Sequence, residues 1–167
     1  MRSSSLRRLT AIPLVAAAIG FQLFGTDVKS ATVNTNCSPA KTIVHVATDV
    51  VGTGSTIFST VPASKIAFTS ASPGCVIVRF SAEATAGPNA NILNVEAVLD
   101  GSDLGSPPDT IFATGVSNTN NAPFSVGSME YLFVAVPAGS HSVVLKFRQI
   151  GGGLAQLGKR TMVLQFQ

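Results

Sequence analysis

From Thr42 onward, apolar and polar residues alternate with a period of two, and clusters of Gly, Pro, Asn and Ser punctuate the alternation. Val76, Val78, Phe80, Ala82 and Ala84 interleave with Ile77, Arg79, Ser81 and Glu83, and Leu93, Val95, Ala97 and Leu99 interleave with Asn94, Glu96, Val98 and Asp100. Side chains of an extended chain point alternately to opposite faces, so each run predicts a half-buried strand. Val143, Leu145 and Phe147 against Val144, Lys146 and Arg148 predict another, as do Met162, Leu164 and Phe166 against Thr161, Val163 and Gln165. Further strands are expected at residues 43–50, 56–61, 65–70, 110–113 and 124–136. Turns fall at Ser72-Pro73-Gly74, Asp100-Gly101, Pro137-Ala138-Gly139 and Gly151-Gly152-Gly153. No helical spacing competes in this part of the chain. About eight or nine short strands predict an all-β, antiparallel sandwich of jelly-roll type, with an immunoglobulin-like sandwich as the alternative.

The first thirty residues follow another rule. Arg2, Arg7 and Arg8 form a basic head, and a mostly apolar run leads from Leu9 to Phe24. That is the pattern of an export signal. Pro13, Gly20 and Gln22 interrupt the run, and a membrane-spanning helix wants about 20 predominantly apolar residues. A signal is thus preferred to a retained anchor, with cleavage after Ser30 at Val28-Lys29-Ser30. The domain reading is residues 1–30 as signal peptide, 31–41 as an N-terminal extension, and 42–167 as one sandwich domain. The product is expected outside the cytoplasm, secreted or periplasmic, with no membrane attachment after cleavage.

Removing the signal changes the electrostatics. The full chain carries a net charge of +3, and residues 1–30 hold Arg2, Arg7, Arg8 and Lys29 against Asp27. That difference is also +3, so the remainder is neutral. A nucleic-acid partner needs cations clustered toward phosphate, and here the basic excess belongs to the signal. Lys159, Arg160, Lys146 and Arg148 are read as a solvated strand face rather than a cationic site.

Two cysteines, Cys37 and Cys75, remain in a chain bound for an oxidising compartment, and an even count predicts a disulfide. Closing a loop of this size stabilises by about 4 kcal/mol in the chain-entropy account. The bond would tether the extension 31–41. Lipidation of Cys37 would require an apolar run directly before it, and Asn34-Thr35-Asn36 is polar.

In the C-terminal third, the segment from Tyr131 to Arg148, with Pro137-Ala138-Gly139-Ser140-His141 opening a strand, is followed by a glycine turn and by Arg160 to Phe166. With Val98-Leu99-Asp100-Gly101, these phrases resemble the closing strands of tumour-necrosis-factor-like and complement-head-like jelly rolls of secreted bacterial proteins. The resemblance covers roughly residues 92–167. It implies a sandwich that binds or assembles, often as a trimer, and it carries over no functional residue.

Candidate chemistry is sparse. His45 and His141 lie far apart in sequence, with no second His or Cys at ligand spacing. Asp100, Asp103 and Asp109 offer oxygen ligands to Ca²⁺ but read first as turn residues. Glu83 and Glu96 could in principle pair for glycoside hydrolysis, yet each falls on a charged strand face. No Gly-x-Ser-x-Gly elbow occurs. No cofactor is implied, and a small secreted hydrolase ranks last. A carbohydrate-binding module normally presents flat aromatics, and this chain has no Trp and one Tyr, Tyr131. The leading expectation is a secreted, non-enzymatic structural or adhesive module with a protein or glycan ligand. Apolar residues on both faces of 131–136 suggest how it assembles: Leu132, Val134 and Val136, together with Val44 and Val46, are expected to form an outer patch buried in a homo-oligomer. N-terminal sequencing of the exported product should start at Ala31; retention of residues 1–8 on a membrane-bound product would establish the anchor instead.

Overall fold

The computed structural model describes residues 37–87, 91–115 and 123–167, so the signal, most of the extension and most of the 115–123 loop lie outside the described residues. Strands β1 (Lys41–Ala47), β2 (Val51–Thr53), β3 (Ser59–Thr60), β4 (Ile66–Ser70) and β5 (Gly74–Thr85) come first. They are followed by β6 (Ile92–Leu99), β7 (Asp103–Leu104), β8 (Thr110–Thr114), β9 (Ser125–Val136), β10 (Gly139–Ile150) and β11 (Ala155–Phe166). All pairings are antiparallel. One sheet runs β1-β11-β5-β9 with β2 beside β11; the other runs β3-β10-β6-β7 with β4 on β10 and β8 on β6. The connections β4–β5, β5–β6, β8–β9, β9–β10 and β10–β11 all cross between sheets, so the molecule is an antiparallel β-sandwich of jelly-roll type. The strand count exceeds the expected eight or nine because residues 43–50 yield β1 and continue into the separate β2, and the two-residue β7 follows the Asp100-Gly101 turn.

The core is the seam between the sheets. Val76, Val78, Phe80, Met162, Leu164 and Phe133 point in from one side; Leu93, Val95, Ala97, Val143, Leu145 and Phe147 meet them from the other. Aromatic pairs cross it: Phe68 lies 4.7 Å from Phe166 and Phe80 lies 5.1 Å from Phe112, ring centre to ring centre. One polar bond spans it as well, from the Tyr131 hydroxyl on β9 to the Val95 carbonyl on β6 at 3.0 Å. Burial pushes the Tyr131 phenol well above its ordinary pKa. The Cys37–Cys75 disulfide is formed, with Cα atoms 5.4 Å apart, and ties the residues before β1 to the start of β5.

Three bulges interrupt the alternation, each setting two residues against one. On β9, Phe133 pairs with Val76 and Val136 with Gly74, so Val134 and Ala135 together face Cys75, and Ala135 takes a φ of 55°. The outward parity expected for Val136 is therefore reversed, and its side chain returns to the core. On β11, Leu157 pairs with Ala84 and Arg160 with Ala82, leaving Gly158 and Lys159 opposite Glu83. Any side chain at Gly158 would collide with Glu83, its Cβ falling 2.9 Å from Oε2. On β8, Phe112 and Ala113 are both buried beside a register shift.

Two expectations about strand faces are corrected. β6 is not half-buried: Asn94, Glu96 and Val98 on its outward side are buried like the core residues between them, and over Asn94 the side chains of Asp109, just before β8, and Arg148 on β10 close in. Arg160 is not part of a solvated face. Its guanidinium points inward and donates to the carbonyls of Asp49 (2.6 Å), Gly158 (3.3 Å) and Pro62 (3.2 Å) and to the Asp49 carboxylate (3.0 Å). Tyr131→Phe should keep the fold but leave the buried Val95 carbonyl without its donor, lowering stability by about 1–3 kcal/mol in urea unfolding.

Candidate functional site

Three surface regions bring chemically capable residues together. The first is a cleft of ≈ 330 Å³ where the end of β6, the β6–β7 turn and β7 meet the bulged end of β9. Asp100 and Gly101 both take positive φ, the backbone that a tight Asp-Gly turn demands. This aims the Asp100 carboxylate at His141: Oδ2 lies 2.7 Å from Nδ1, while Oδ1 accepts the Ser142 N–H at 2.8 Å. The other ring nitrogen, Nε2, sits 2.9 Å from the Pro137 carbonyl. Both partners are pure acceptors, so the ring satisfies both only as the imidazolium. The hydrogen bond to Asp100 raises the His141 pKa above its ordinary value, against a smaller opposing effect of burial. Burial pushes Asp100 upward, but the bonds from His141 and Ser142 outweigh it and hold the carboxyl below its ordinary range. With Nε2 held by a carbonyl, His141 is a clip between turns rather than the free base of a Ser-His-Asp triad. Phe68 packs against the ring at 5.4 Å.

The second region is the outward side of β6 and β10. Asn94 pairs across from Arg148 and Glu96 from Lys146. Asp109, at the start of β8, accepts from Asn94 Nδ2 at 2.6 Å and from the Arg148 guanidinium, and Arg148 lies over the Phe58 ring at 4.5 Å. Burial raises the Glu96 pKa, opposed by Lys146 and Arg148 and reinforced by Asp109. Two acids and two bases make this a neutral cluster, in which Asp109 pairs with Arg148 and Glu96 stands across the strands from Lys146.

The third region is the outward face of β1-β11-β5-β9. Register places Val44 beside Val163, then Arg79, then Glu130; Val46 beside Thr161, Ser81 and Ser128; and Thr42 beside Gln165, Ile77 and Leu132. Val44 and Val46 are exposed at 58% and 62%. Leu132 is half-buried and Val134 exposed at the opposite edge, with Val136 in the core. The expected single patch is therefore split: polar residues and the Arg79–Glu130 ion pair (2.6 Å) stand between its halves.

The remaining sequence candidates separate in space. Asp100 and Asp103 share the cleft while Asp109 belongs to the β6–β10 cluster. Among the described residues no group of three or more His, Cys, Asp or Glu is placed to hold a metal ion. Glu83 and Glu96 lie on different sheets, facing away from each other on the outer surfaces of the sandwich. Lys146 and Arg148 likewise share no face with Lys159, and Arg160 is interior. Sequence reasoning missed Arg160 and the His141–Asp100 clip. Counting by twos back from Met162 puts Arg160 inward, and the Asp-Gly turn aims Asp100 at the strand that follows the next hairpin.

The clip predicts a pH window. The raised His141 pKa adds stability that is complete below the ordinary histidine value of about 6.5 and is lost as pH rises through the raised one. The lowered Asp100 pKa adds stability present above about 3.9 and lost as pH falls through the lowered one. The unfolding free energy of the unmodified protein minus that of His141→Gln should therefore peak between roughly pH 4 and 6.5 and shrink on both sides. A difference that is flat from pH 4 to 9 would contradict the clip.

No family model matches the sequence, and no curated protein matches it either. Among solved structures, the VP2 subviral particle of infectious bursal disease virus aligns with a TM-score of 0.43 at 10% identity, over 78% of this chain and 34% of the viral one. A structure of the Gt strain of that virus gives 0.44 at 9% identity, over 77% and 33%. The chain spans about a third of the length of these viral chains. A family 35 carbohydrate-binding module from Clostridium thermocellum aligns with a TM-score of 0.36 at 13% identity, over 74% of this chain and 98% of the module.

Proposed function

We propose that the protein is an exported, non-enzymatic β-sandwich that serves as a structural or adhesive module by associating with further copies of itself through β1. The observation that carries this reading is the state of that strand. β1 stands at the edge of its sheet, pairs with β11 over seven residues without a bulge, and among the described residues leaves its other backbone edge unpaired. Soluble proteins usually blunt such an edge with charge, proline or a bulge. Among the described residues nothing pairs with that edge; Lys41 is the one Lys, Arg, Asp or Glu in Lys41–Ala47, and Val44 and Val46 stand outward beside it. Two copies pairing β1 antiparallel would continue the sheet across a two-fold axis and bring their valines together. With seven acidic and seven basic side chains between residues 31 and 167, no net charge keeps the copies apart.

The disulfide supports an oxidising destination, and among the described residues no helix is long and apolar enough to cross a membrane. Against a hydrolase stand the Asp109–Arg148 ion pair and the occupied ring nitrogens of His141. A glycan-binding reading has little aromatic surface to work with: Tyr131 is fully buried, Phe58 lies against Arg148, and among the described residues Phe124 alone of the aromatics is exposed.

Light scattering of the mature protein at tens of micromolar should give a multiple of the monomer mass. Twice that mass fits the two-fold β1 pairing; three times would replace it by the trimer that the jelly-roll resemblance implies. Val44→Asp with Val46→Asp should return the monomer with unchanged far-ultraviolet circular dichroism. An unmodified protein that is already monomeric would remove the proposal.

A further inference from the structure

Asp49, Asp109 and Glu130 are each paired with an arginine, and Asp100 is occupied by His141 and Ser142. Glu83 and Glu96 have no ion pair among the described residues, but each stands on an outer sheet face close to a lysine, Glu83 beside Lys159 and Glu96 across from Lys146. Asp103, exposed at the start of β7, has one hydrogen bond among the described residues, from the neighbouring Ser102 hydroxyl at 3.3 Å. It lines a cleft that contains no Lys or Arg. Even with His141 charged, Asp100 and Asp103 leave the cleft net negative in a domain that is otherwise balanced. The acid does not stand in an open polar field either. Leu104 (53% exposed), Leu132, Val134 (49% exposed) and Pro137 form an apolar wall around it. Val134 keeps the outward parity of Leu132 there, and the bulge adds Ala135 beside it in a left-handed backbone. A volume of ≈ 330 Å³ is at the small end of ligand clefts.

An apolar wall with one under-used carboxylate is complementary to a chain that is aliphatic along its length and cationic at its tip, since such a chain buries its stem while its head stays partly wet. We propose that this cleft binds an alkylammonium or alkylguanidinium group, with the cation on Asp103 and the stem against Leu104, Leu132 and Val134. Two sources share that chemistry: a lysine or arginine side chain of a protein, and a free alkyl amine. One partly solvated ion pair with a short apolar stem sets the affinity on the order of millimolar. The site lies at the β9 edge, on the opposite side of the sheet from β1, so it is independent of the proposed self-association.

Amide proton–nitrogen correlation spectra of the mature protein, titrated with n-pentylammonium, with N-acetyl-lysine methylamide and with the neutral N-acetyl-norleucine methylamide, test this directly. Both cations should produce saturable shifts in residues 99–104 and 132–136, and whichever binds more tightly identifies the source. The norleucine compound should bind more weakly, and Asp103→Asn should raise the dissociation constant roughly two- to fivefold, the range of an exposed ion pair. Glu83→Gln, opposite Val126 near the other end of β9, should leave it unchanged and its spectrum controls for general charge effects. Equal binding of the neutral compound, an Asp103→Asn variant that binds like the parent, or shifts that never saturate would each overturn the proposal. So would calcium chloride reproducing the same pattern at lower concentration, which would make the cleft an inorganic cation site.

Discussion

Burying one face of each sheet against the other imposes a parity on every strand: residues of one parity meet at the seam and residues of the other meet water. The features that distinguish this molecule from a plain sandwich occur where a bulge breaks that parity. The β9 bulge turns Val136 inward and leaves Val134 and Ala135 to shape the cleft. The bulge on β11 lets both Leu157 and Arg160 point in, although an odd number of positions, three, divides them. On β8 the same device sends Phe112 to Phe80. In each case one inserted residue re-aims everything beyond it, with no change in strand order.

The second constraint is that whatever polar group the parity carries inside must find partners there. Arg160 reaches Asp49, Gly158 and Pro62, so one interior charge holds the chain after β1, the β11 bulge and the chain before β4 in a common geometry. A buried charge so bonded adds little net stability but penalises any arrangement that leaves it alone, because an unpartnered interior charge is far costlier than a lost surface pair. Ser64 does the same on a smaller scale: its hydroxyl lies within bonding distance of the Val61 and Leu145 carbonyls, and it accepts the Leu145 N–H at 3.1 Å. These groups fix the relative position of loops that apolar packing alone would leave free to slide.

Sandwich class and the long strands could be read from alternation because a half-buried strand writes its burial directly into its sequence. β5 and the Met162–Phe166 part of β11 are of this kind. Bulges leave no comparable mark. Tyr131 to Val136 looks two-faced on paper because a residue count cannot show that Val134 and Ala135 share one partner. β6 misled differently: its polar residues are real, but their burial comes from strands supplied elsewhere in the chain. The cleft was legible only in pieces, as an Asp-Gly turn and a histidine after Pro-Ala-Gly-Ser, since it exists through the meeting of two hairpins some forty residues apart.

The pairing of β1 with β11 joins Lys41 to Phe166 and Ala47 to Arg160. More than a hundred residues must therefore be made before β1 gains its hydrogen-bonding neighbour, and β5 waits for the same strand on one of its edges. Closing so long a loop is entropically slow, and no early local structure around β1 competes with it. β1 and one edge of β5 therefore stay unpaired until the end of the chain is made. If the chain is threaded through a narrow channel before β11 follows, it has no completed β1-β11-β5-β9 sheet to lose in transit.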